Sequence, residues 1–342
     1  MELRREVLTA EILDPRRDFA PTKLTLEIRW DPLTGQTSRI FPSAGLMGPA
    51  TFDLRWLAEQ TRSGCPFCRE RIEQTTPRFL PGVAAEGRIR RGEAVLFPNL
   101  LPYSKHSSVS VYSPERHFLP LGEMTAELVA DNLATQVEFA RSVMHADAEA
   151  TWVSVNANHM LPAGSSVFHP HLQGSVNPTP TTFQRLLADT SATRFREYVD
   201  EEKRQGARYL GSTGSIDWLA SFAPLGPAEL RAFAFGIASP AELSDERVRE
   251  LAEGIASAVH LYDELGFNSF NLAIYGAPPE TRGYPLNLRL LARSTLEPLY
   301  RSDVTWLERL HWEAAVDVMP EELAERAGSR FMRSGLASTT GR

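Results

Sequence analysis

The chain has 342 residues, with 36 Lys and Arg against 43 Asp and Glu, which gives a formal net charge of −7. Its composition of 42% hydrophobic, 23% charged and 9% aromatic residues is typical of a globular protein and excludes a disordered or collagen-like chain. An acidic chain lacks the positive surface that displaces counterions from nucleic acids, so we expect no nucleic-acid partner.

The N-terminal segment over residues 1–20 carries charges of both signs and contains no apolar core of signal-peptide length. No window of about 18 apolar residues occurs in the chain, so the sequence predicts no membrane partner. These two observations together predict a cytoplasmic protein.

Hydrophobic periodicity predicts strands and helices in a regular order along the first half of the chain. Thr125 is a suitable N-cap for a long amphipathic helix. The predicted elements are strands over residues 24–30, 95–97 and 108–112, a helix over 125–145, and strands over 151–156 and 167–176.

The second half repeats this order without obvious sequence identity. Its predicted elements are strands over residues 216–222 and 231–237, a helix over 244–265, and strands over 269–275 and 286–292. The repetition predicts an α+β fold built from two units, each a mainly antiparallel sheet with flanking helices. We place the units at residues 1–195 and 196–342. The charged segment at their join is either a linker or a solvated helix that continues the first unit.

The sequence His169-Pro170-His171-Leu172-Gln173 is the sharpest chemical feature of the chain. In a strand, residues two apart share a face, so this pattern predicts two imidazoles and a carboxamide in a row. A neutral histidine can bind a metal or act as a nucleophile at phosphorus. A solvated or metal-scavenging strand edge is an equally good interpretation of the spacing alone.

Two further short motifs belong with this one. Gly164, Ser165 and Ser166 precede it and offer hydroxyl and backbone N–H groups where negative charge would build up. The chain's two cysteines form the motif Cys65-Pro66-Phe67-Cys68, whose spacing indicates metal binding or redox chemistry rather than a disulfide scaffold.

The segment NANHMLPAGSSVFHPHLQ resembles the active-site signature of the galactose-1-phosphate uridylyltransferase family, a branch of the histidine-triad superfamily. The segments RWDPLTGQ, CPFC and SPERHFLPLGEMT, and the closing RSDVTWLERLHWEAAVDVMPEELAERAG, are similar to segments that the family has in the same order. The resemblance covers about residues 29–327. It implies two histidine-triad-like half-barrels, the first of which bears the active site, and commonly a homodimer.

The resemblance also implies an activity and its residues. His171 would be the nucleophile that takes a nucleoside monophosphate from a nucleoside-diphosphate sugar and passes it to a sugar 1-phosphate. Gln173 would hold the transferred phosphoryl group, and Ser166 would contact the phosphate that leaves or attacks. The remaining predicted substrate contacts are Arg29, Asn158, Gly164 and Ser165.

The same resemblance implies one structural zinc ion, held by Cys65, Cys68, His117 and His169. Such a site would brace the segment that presents His171. The rival interpretation of the two cysteines is a redox pair, although TRSG precedes the motif and the charged RERIE follows it, where a redox motif would follow an apolar strand. A second metal site of the family has no counterpart, because FNLAIYGAP and LNLRLLAR contain no histidine.

Two specificity segments of the family differ in this chain. EAVLFPNLLP stands where the family has an Asn-Asp pair for uracil, and LERLHWE replaces a segment that contacts the hexose. The base and the sugar are therefore left open. Two alternatives remain: a nucleotide-sugar phosphorylase or hydrolase, similar to an ADP-sugar phosphorylase, and a catalytically silent zinc-braced protein that binds nucleotides.

Overall fold

A computed structural model describes residues 1–41 and 52–331 of the chain. The strands in these ranges are β1 (Arg5–Asp14), β2 (Ala20–Trp30), β3 (Thr37–Ile40), β4 (Ile89–Arg91), β5 (Ala94–Pro98), β6 (His106–Val111), β7 (Trp152–His159), β8 (His171–Asn177), β9 (Tyr209–Thr213), β10 (Ile216–Ala220), β11 (Leu230–Ala234), β12 (Phe270–Tyr275), β13 (Leu286–Ala292) and β14 (Ala314–Val316). The α-helices are α1 (Leu54–Arg62), α2 (Ile72–Thr75), α3 (Ala126–Ala146), α4 (Thr182–Ala188), α5 (Ala192–Gln205), α6 (Asp245–Glu264) and α7 (Pro320–Ala327).

Ten of these strands form one antiparallel sheet in the order β4-β5-β6-β8-β7-β12-β13-β11-β10-β9. Read from its outer edge inward, each five-stranded half has the same order: the first, second and third strands of the half, then its fifth, then its fourth. The halves meet where β7 pairs with β12, and this register sets Asn158 opposite Asn271. The duplicated α+β architecture is therefore confirmed, with the two half-sheets joined into one.

One face of this sheet is covered by the long helix of each half. The Thr125 side chain accepts a hydrogen bond from the Leu128 amide at the start of α3, and Ser244 does the same for Arg247 at the start of α6. These caps satisfy amides that have no partner inside the helix. Apolar residues of α3 and α6 pack with Leu172, Leu272 and other residues of the sheet in the main hydrophobic core.

The other face of the sheet differs between the two halves. In the second half it is covered by α5, whose Phe195 and Tyr198 are buried against Leu219 and Phe233 of the sheet. The charged segment at the predicted join is thus a packed helix rather than an extended linker. A domain boundary near residue 195 stays a prediction, because the two halves share one sheet.

A smaller sheet of four strands, in the order β1-β2-β3-β14, lies beside the large one. Its first strand, β1, was missed by the sequence analysis. Nine of the ten β1 residues are exposed or half-buried, so the segment lacks the apolar alternation that marks a half-buried strand. Pairing with β2 along its whole length, from Arg5 opposite Arg29 to Asp14 opposite Ala20, stabilises it instead.

A buried ionic cluster joins the small sheet to the second half of the large one. The Asp31 carboxylate, in the turn after β2, accepts hydrogen bonds from Arg231 and Arg289 and from the amides of Leu33 and Thr34. Burial opposes ionisation of Asp31, but the two guanidinium groups outweigh it and hold the pKa of this carboxyl below its usual range.

We expect Asp31→Ala to destabilise the protein by about 3–5 kcal/mol, because it leaves the buried Arg231 guanidinium without its carboxylate and leaves Arg289 with Glu229 alone. Since the folded pKa lies below the unfolded one, the stabilisation is complete above the unfolded pKa and is lost as the pH falls through the folded value. Urea unfolding at neutral and acidic pH measures both effects. The control is Glu11→Ala, which breaks an exposed pair with Lys23; equal losses in the two variants would contradict the prediction.

Candidate active site and metal centre

The four predicted metal ligands lie together on the first half of the molecule. Their ligand atoms are all within 4.8 Å of one another, and all four residues are buried. The Cys68 sulfur is 3.3 Å from Nδ1 of His117 and 3.7 Å from Nδ1 of His169, and the Cys65 sulfur is 3.6 Å from the same His169 nitrogen. The loop before α2 and the segments after β6 and before β8 therefore converge on one point.

Backbone carbonyls set the tautomers of both histidines in this cluster. Nε2 of His169 lies 2.9 Å from the Ser113 carbonyl, and Nε2 of His117 lies 3.1 Å from the Ala58 carbonyl. A carbonyl can only accept, so each Nε2 carries the proton and each Nδ1 turns a lone pair toward the thiols. Two sulfurs and two imidazole nitrogens are a donor set that zinc prefers in closed structural sites.

The burial of the cluster favours a metal over a redox pair. Burial lowers the pKa of His169 to about 3 and also lowers that of His117, so both imidazoles are neutral and can bind a metal ion. A redox pair needs an accessible thiolate, whereas both cysteines here are buried. The group can thus hold a metal ion.

The HPHLQ motif is not the uniform strand face that its spacing predicts. Strand β8 begins at His171 rather than at residue 167, because Pro170 has no N–H with which to continue the pairing. His169 therefore lies outside the strand, and its ring points toward the sulfurs of Cys65 and Cys68. His171 and Gln173, two residues apart in β8, share one face as predicted.

His171 has the tautomer that a nucleophile requires. Its Nδ1 lies 2.9 Å from the His169 carbonyl oxygen and must donate to it, which leaves the lone pair of Nε2 free. Burial lowers the pKa of this imidazole, which keeps it neutral. The ring of Phe67, which lies between the two cysteines in sequence, packs edge-on against the His171 ring with 5.5 Å between the ring centroids. This contact was not predicted from the sequence.

The loop before the motif connects β7 to β8. The β7–β8 register ends with Asn156 opposite Gln173, and Asn158 follows two residues later in β7. Gly164 lies close to the Asn158 amide and has a φ of +94°, which favours glycine. Ser165 is buried and donates to the Val167 carbonyl at 2.7 Å, so its hydroxyl shapes the loop. The structure thus brings Gly164 close to Asn158, and the contacts of Asn158, Gly164 and Ser165 with a substrate stay predictions.

Two side chains at this site have polar groups that are open to a ligand. Ser166 is exposed at the tip of the loop. Gln173 is half-buried, and its carboxamide has no hydrogen-bond partner among residues 1–41 and 52–331. The first half thus contains a free lone pair on Nε2 of His171, an amide two residues further along the same strand, and an exposed hydroxyl in the preceding loop. The amide and the hydroxyl can donate to phosphoryl oxygens.

Arg29 lies in a different environment from the one predicted. Its buried guanidinium binds both carboxylate oxygens of Glu321, at 2.9 and 3.2 Å, and also contacts Glu27 at 2.8 Å and the Phe222 carbonyl at 3.4 Å. These partners compensate its charge and occupy its donors. The predicted substrate contact of Arg29 stays a prediction. The motif near the start of the chain could not reveal these ion pairs, because Glu321 is 292 residues away in sequence.

A cationic group of the second half is connected to Asn158 through Asn271. Arg293 binds Asn271, which in turn binds Asn158. Neither Arg293 nor Asn271 was singled out from the sequence. A polar residue within the apolar strand FNLAIYGAP was the available signal, but only the strand pairing shows what it faces.

Comparisons with known proteins show which sequences and folds this chain is similar to. No protein-family model matches the chain. A protein of Archaeoglobus fulgidus, described as uncharacterized, is 36% identical over 337 residues, which are 95% of this chain and 97% of that protein. An ADP-glucose phosphorylase from Arabidopsis thaliana, solved with bound ADP-glucose, matches at 17% identity with a TM-score of 0.65, over 88% of this chain and 98% of its own. A uridylyltransferase matches at 18% identity with a TM-score of 0.59, over 89% and 98%.

These solved structures share the duplicated fold, and the predicted resemblance to the galactose-1-phosphate uridylyltransferase family is confirmed as a likeness of fold. At 36% identity over nearly the full length of both, the chain belongs to one family with the A. fulgidus protein. Among the helices of the described residues, none is long and apolar enough to cross a membrane. The homodimer, the cytoplasmic location and the lack of a second metal site stay predictions.

We expect the purified protein to contain about one zinc ion per chain and Cys65→Ser to lower both the zinc content and the melting temperature. Metal analysis and thermal unfolding measure these quantities. His171→Ala is the control, because it leaves all four ligands in place and should keep its zinc. Full zinc content in Cys65→Ser, or no change in its melting temperature, would contradict the prediction.

Proposed function

We propose that the protein is a nucleotidyltransferase that moves a nucleoside monophosphate from a nucleoside-diphosphate sugar, through a covalent nucleotidyl-histidine on His171, to a phosphorylated acceptor. The observation that carries the proposal is the free Nε2 lone pair of a neutral, oriented imidazole. The solved structures of similar fold, an ADP-glucose phosphorylase and a uridylyltransferase, support this class of reaction.

The reaction divides into two displacements at the same phosphorus. In the first, Nε2 of His171 attacks the α-phosphorus, a P–N bond forms, and the P–O bond to the sugar phosphate breaks. The electron pair leaves with the sugar 1-phosphate. In the second, an acceptor phosphate oxygen attacks the same phosphorus and the electron pair of the P–N bond returns to Nε2. Kinetics of the ping-pong type follow from this scheme.

The other site residues bind and orient the phosphates. The Gln173 amide donates to oxygens of the transferred phosphoryl group, and the Ser166 hydroxyl contacts the phosphate that leaves or attacks. Asn158 and Gly164 line the same position, and the Ser165 hydroxyl keeps the loop folded. Cys65, Cys68, His117 and His169 would hold zinc, which when bound supplies a rigid anchor for the segment that presents His171.

Intact-protein mass spectrometry tests the covalent step directly. After mixing with a panel of UDP-, ADP- and other nucleotide sugars, the wild-type protein should gain the mass of one nucleoside monophosphate, and that mass identifies the base. His171→Ala should form no adduct and lose turnover by a factor of about 10⁴ or more. His106→Gln is the matched control, because His106 lies at the far end of β6 and pairs with Asp147.

The absence of any adduct in the wild-type protein, together with no exchange of labelled sugar 1-phosphate, would refute the proposal. Binding of a nucleotide with equal affinity in wild type and His171→Ala, without an adduct in either, would instead support the catalytically silent zinc-braced protein.

The acceptor defines a second candidate activity. A nucleotide-sugar phosphorylase would use inorganic phosphate in the second step, and the similar fold of the ADP-glucose phosphorylase favours this candidate. The isolated adduct should be incubated with sugar 1-phosphate, with phosphate or with buffer alone. Release of a nucleotide sugar indicates the transferase, a nucleoside diphosphate indicates the phosphorylase, and a monophosphate in buffer alone indicates a hydrolase.

A further inference from the structure

Asn271 of the second half makes an unusual set of contacts with the first half. Its Nδ2 lies 2.7 Å from Oδ1 of Asn158, 2.9 Å from the Ala163 carbonyl and 3.3 Å from the Ala157 carbonyl. All three partners precede His171 in the chain. One amide group of β12 therefore holds both the end of β7 and the loop that follows it.

A salt bridge fixes the orientation of this amide. Oδ1 of Asn271 accepts from Nη1 of Arg293 at 2.6 Å, and Arg293 binds both oxygens of Asp303 at 2.6 Å each. The side chains of this ion pair are 13% and 10% exposed, so water screens it weakly. Because the guanidinium can only donate, Oδ1 must face Arg293 and Nδ2 must face the first half.

The Ala163 carbonyl, which accepts from Asn271, belongs to a tight turn of the loop. Ala163 ends the short 3-10 turn Leu161–Ala163, which begins after Met160 with a φ of +69° and is followed by Gly164 with a φ of +94°. Two residues of positive φ bracket a single turn, which the amides of Ala163, Gly164 and Ser165 close by donating to the Met160 and Leu161 carbonyls, while the Ala163 carbonyl accepts from outside the loop. The bond from Asn271 connects this turn to a rigid strand 108 residues further along the chain.

We propose that Asn271 is a positioning residue for the reaction at His171: it holds Asn158 and the turn before Gly164 and Ser166 in the geometry that the phosphates require. This inference rests on the proposed function. It also gives the second half a role in catalysis, since Asn271, Arg293 and Asp303 all belong to that half. A displacement of about 1 Å at a reacting group can cost about 100-fold in rate, so a hydrogen bond that fixes the loop matters for turnover.

Two variants separate the roles of the amide. Asn271→Ala removes all its contacts, whereas Asn271→Asp keeps an oxygen for Arg293 and removes only the N–H donors. Both should slow the maximal single-turnover rate of His171 adduct formation by about 10- to 100-fold, with less than about a threefold change in the half-saturating nucleotide-sugar concentration. The matched control is Asn287→Ala on the neighbouring strand β13, whose buried amide donates to Tyr284 and to the Pro285 carbonyl.

A double variant tests whether Asn271 acts through Asn158. If it does, Asn158→Ala combined with Asn271→Ala should be little slower than Asn158→Ala alone, because the shared interaction can be lost only once. Fully multiplicative losses, or adduct formation by Asn271→Asp at the rate of the Asn287→Ala control, would overturn the inference.

Hydrogen–deuterium exchange supplies a readout that does not depend on activity. Peptides that cover residues 160–168 should exchange faster in Asn271→Ala and Asn271→Asp than in Asn287→Ala, and equal exchange in all three would overturn the inference.

If the wild-type protein forms no adduct, the proposed function fails, and the positioning role that rests on it fails too. Normal wild-type adduct formation together with unaltered Asn271 variants refutes only the positioning role.

Discussion

The backbone carbonyl of His169 accepts the Nδ1–H of His171 at 2.9 Å, and this hydrogen bond links the four candidate metal ligands to the imidazole that we propose as the nucleophile. Three different groups of His169 make contacts: the two ring nitrogens and the backbone carbonyl. Its Nδ1 faces the two thiols, its Nε2–H donates to the Ser113 carbonyl, and its own carbonyl sets the tautomer of His171. A ligand that fixes His169 therefore also fixes the direction of the Nε2 lone pair on His171, which explains why two histidines two residues apart can have opposite tautomers.

The two halves of the large sheet have the same strand order but use the same face differently. In the first half this face presents His171 and Gln173 next to the loop before β8. In the second half α5 and the buried ionic cluster of Asp31, Arg231 and Arg289 fill the corresponding face. Duplication thus yields one candidate site in the described part of the chain, and the second half supports it across the β7–β12 pairing.

Local signals were sufficient for much of the fold and for the core of the site. Helices α3 and α6 were predicted from their caps and apolar stripes to within a residue or two at each end, and β13 was predicted without error. The four metal ligands came from a motif resemblance and lie together. What the sequence did not reveal depends on distant partners: β1 is held by pairing rather than by burial, and Arg29 is bound by Glu321 from the last helix, while its substrate contact stays a prediction. Asn271 faces Asn158 only because two half-sheets join, which no single segment of sequence shows.

The tautomer of His171 in the zinc-loaded protein tests the central claim most directly. Nitrogen-15 NMR of histidine-labelled protein, with His171→Ala to assign the resonance, measures which ring nitrogen carries the proton. A neutral ring protonated at Nδ1, with an unprotonated Nε2, is the result that the structure predicts. A proton on Nε2 in the resting protein would contradict it, because the atom that must attack phosphorus would then have no free lone pair.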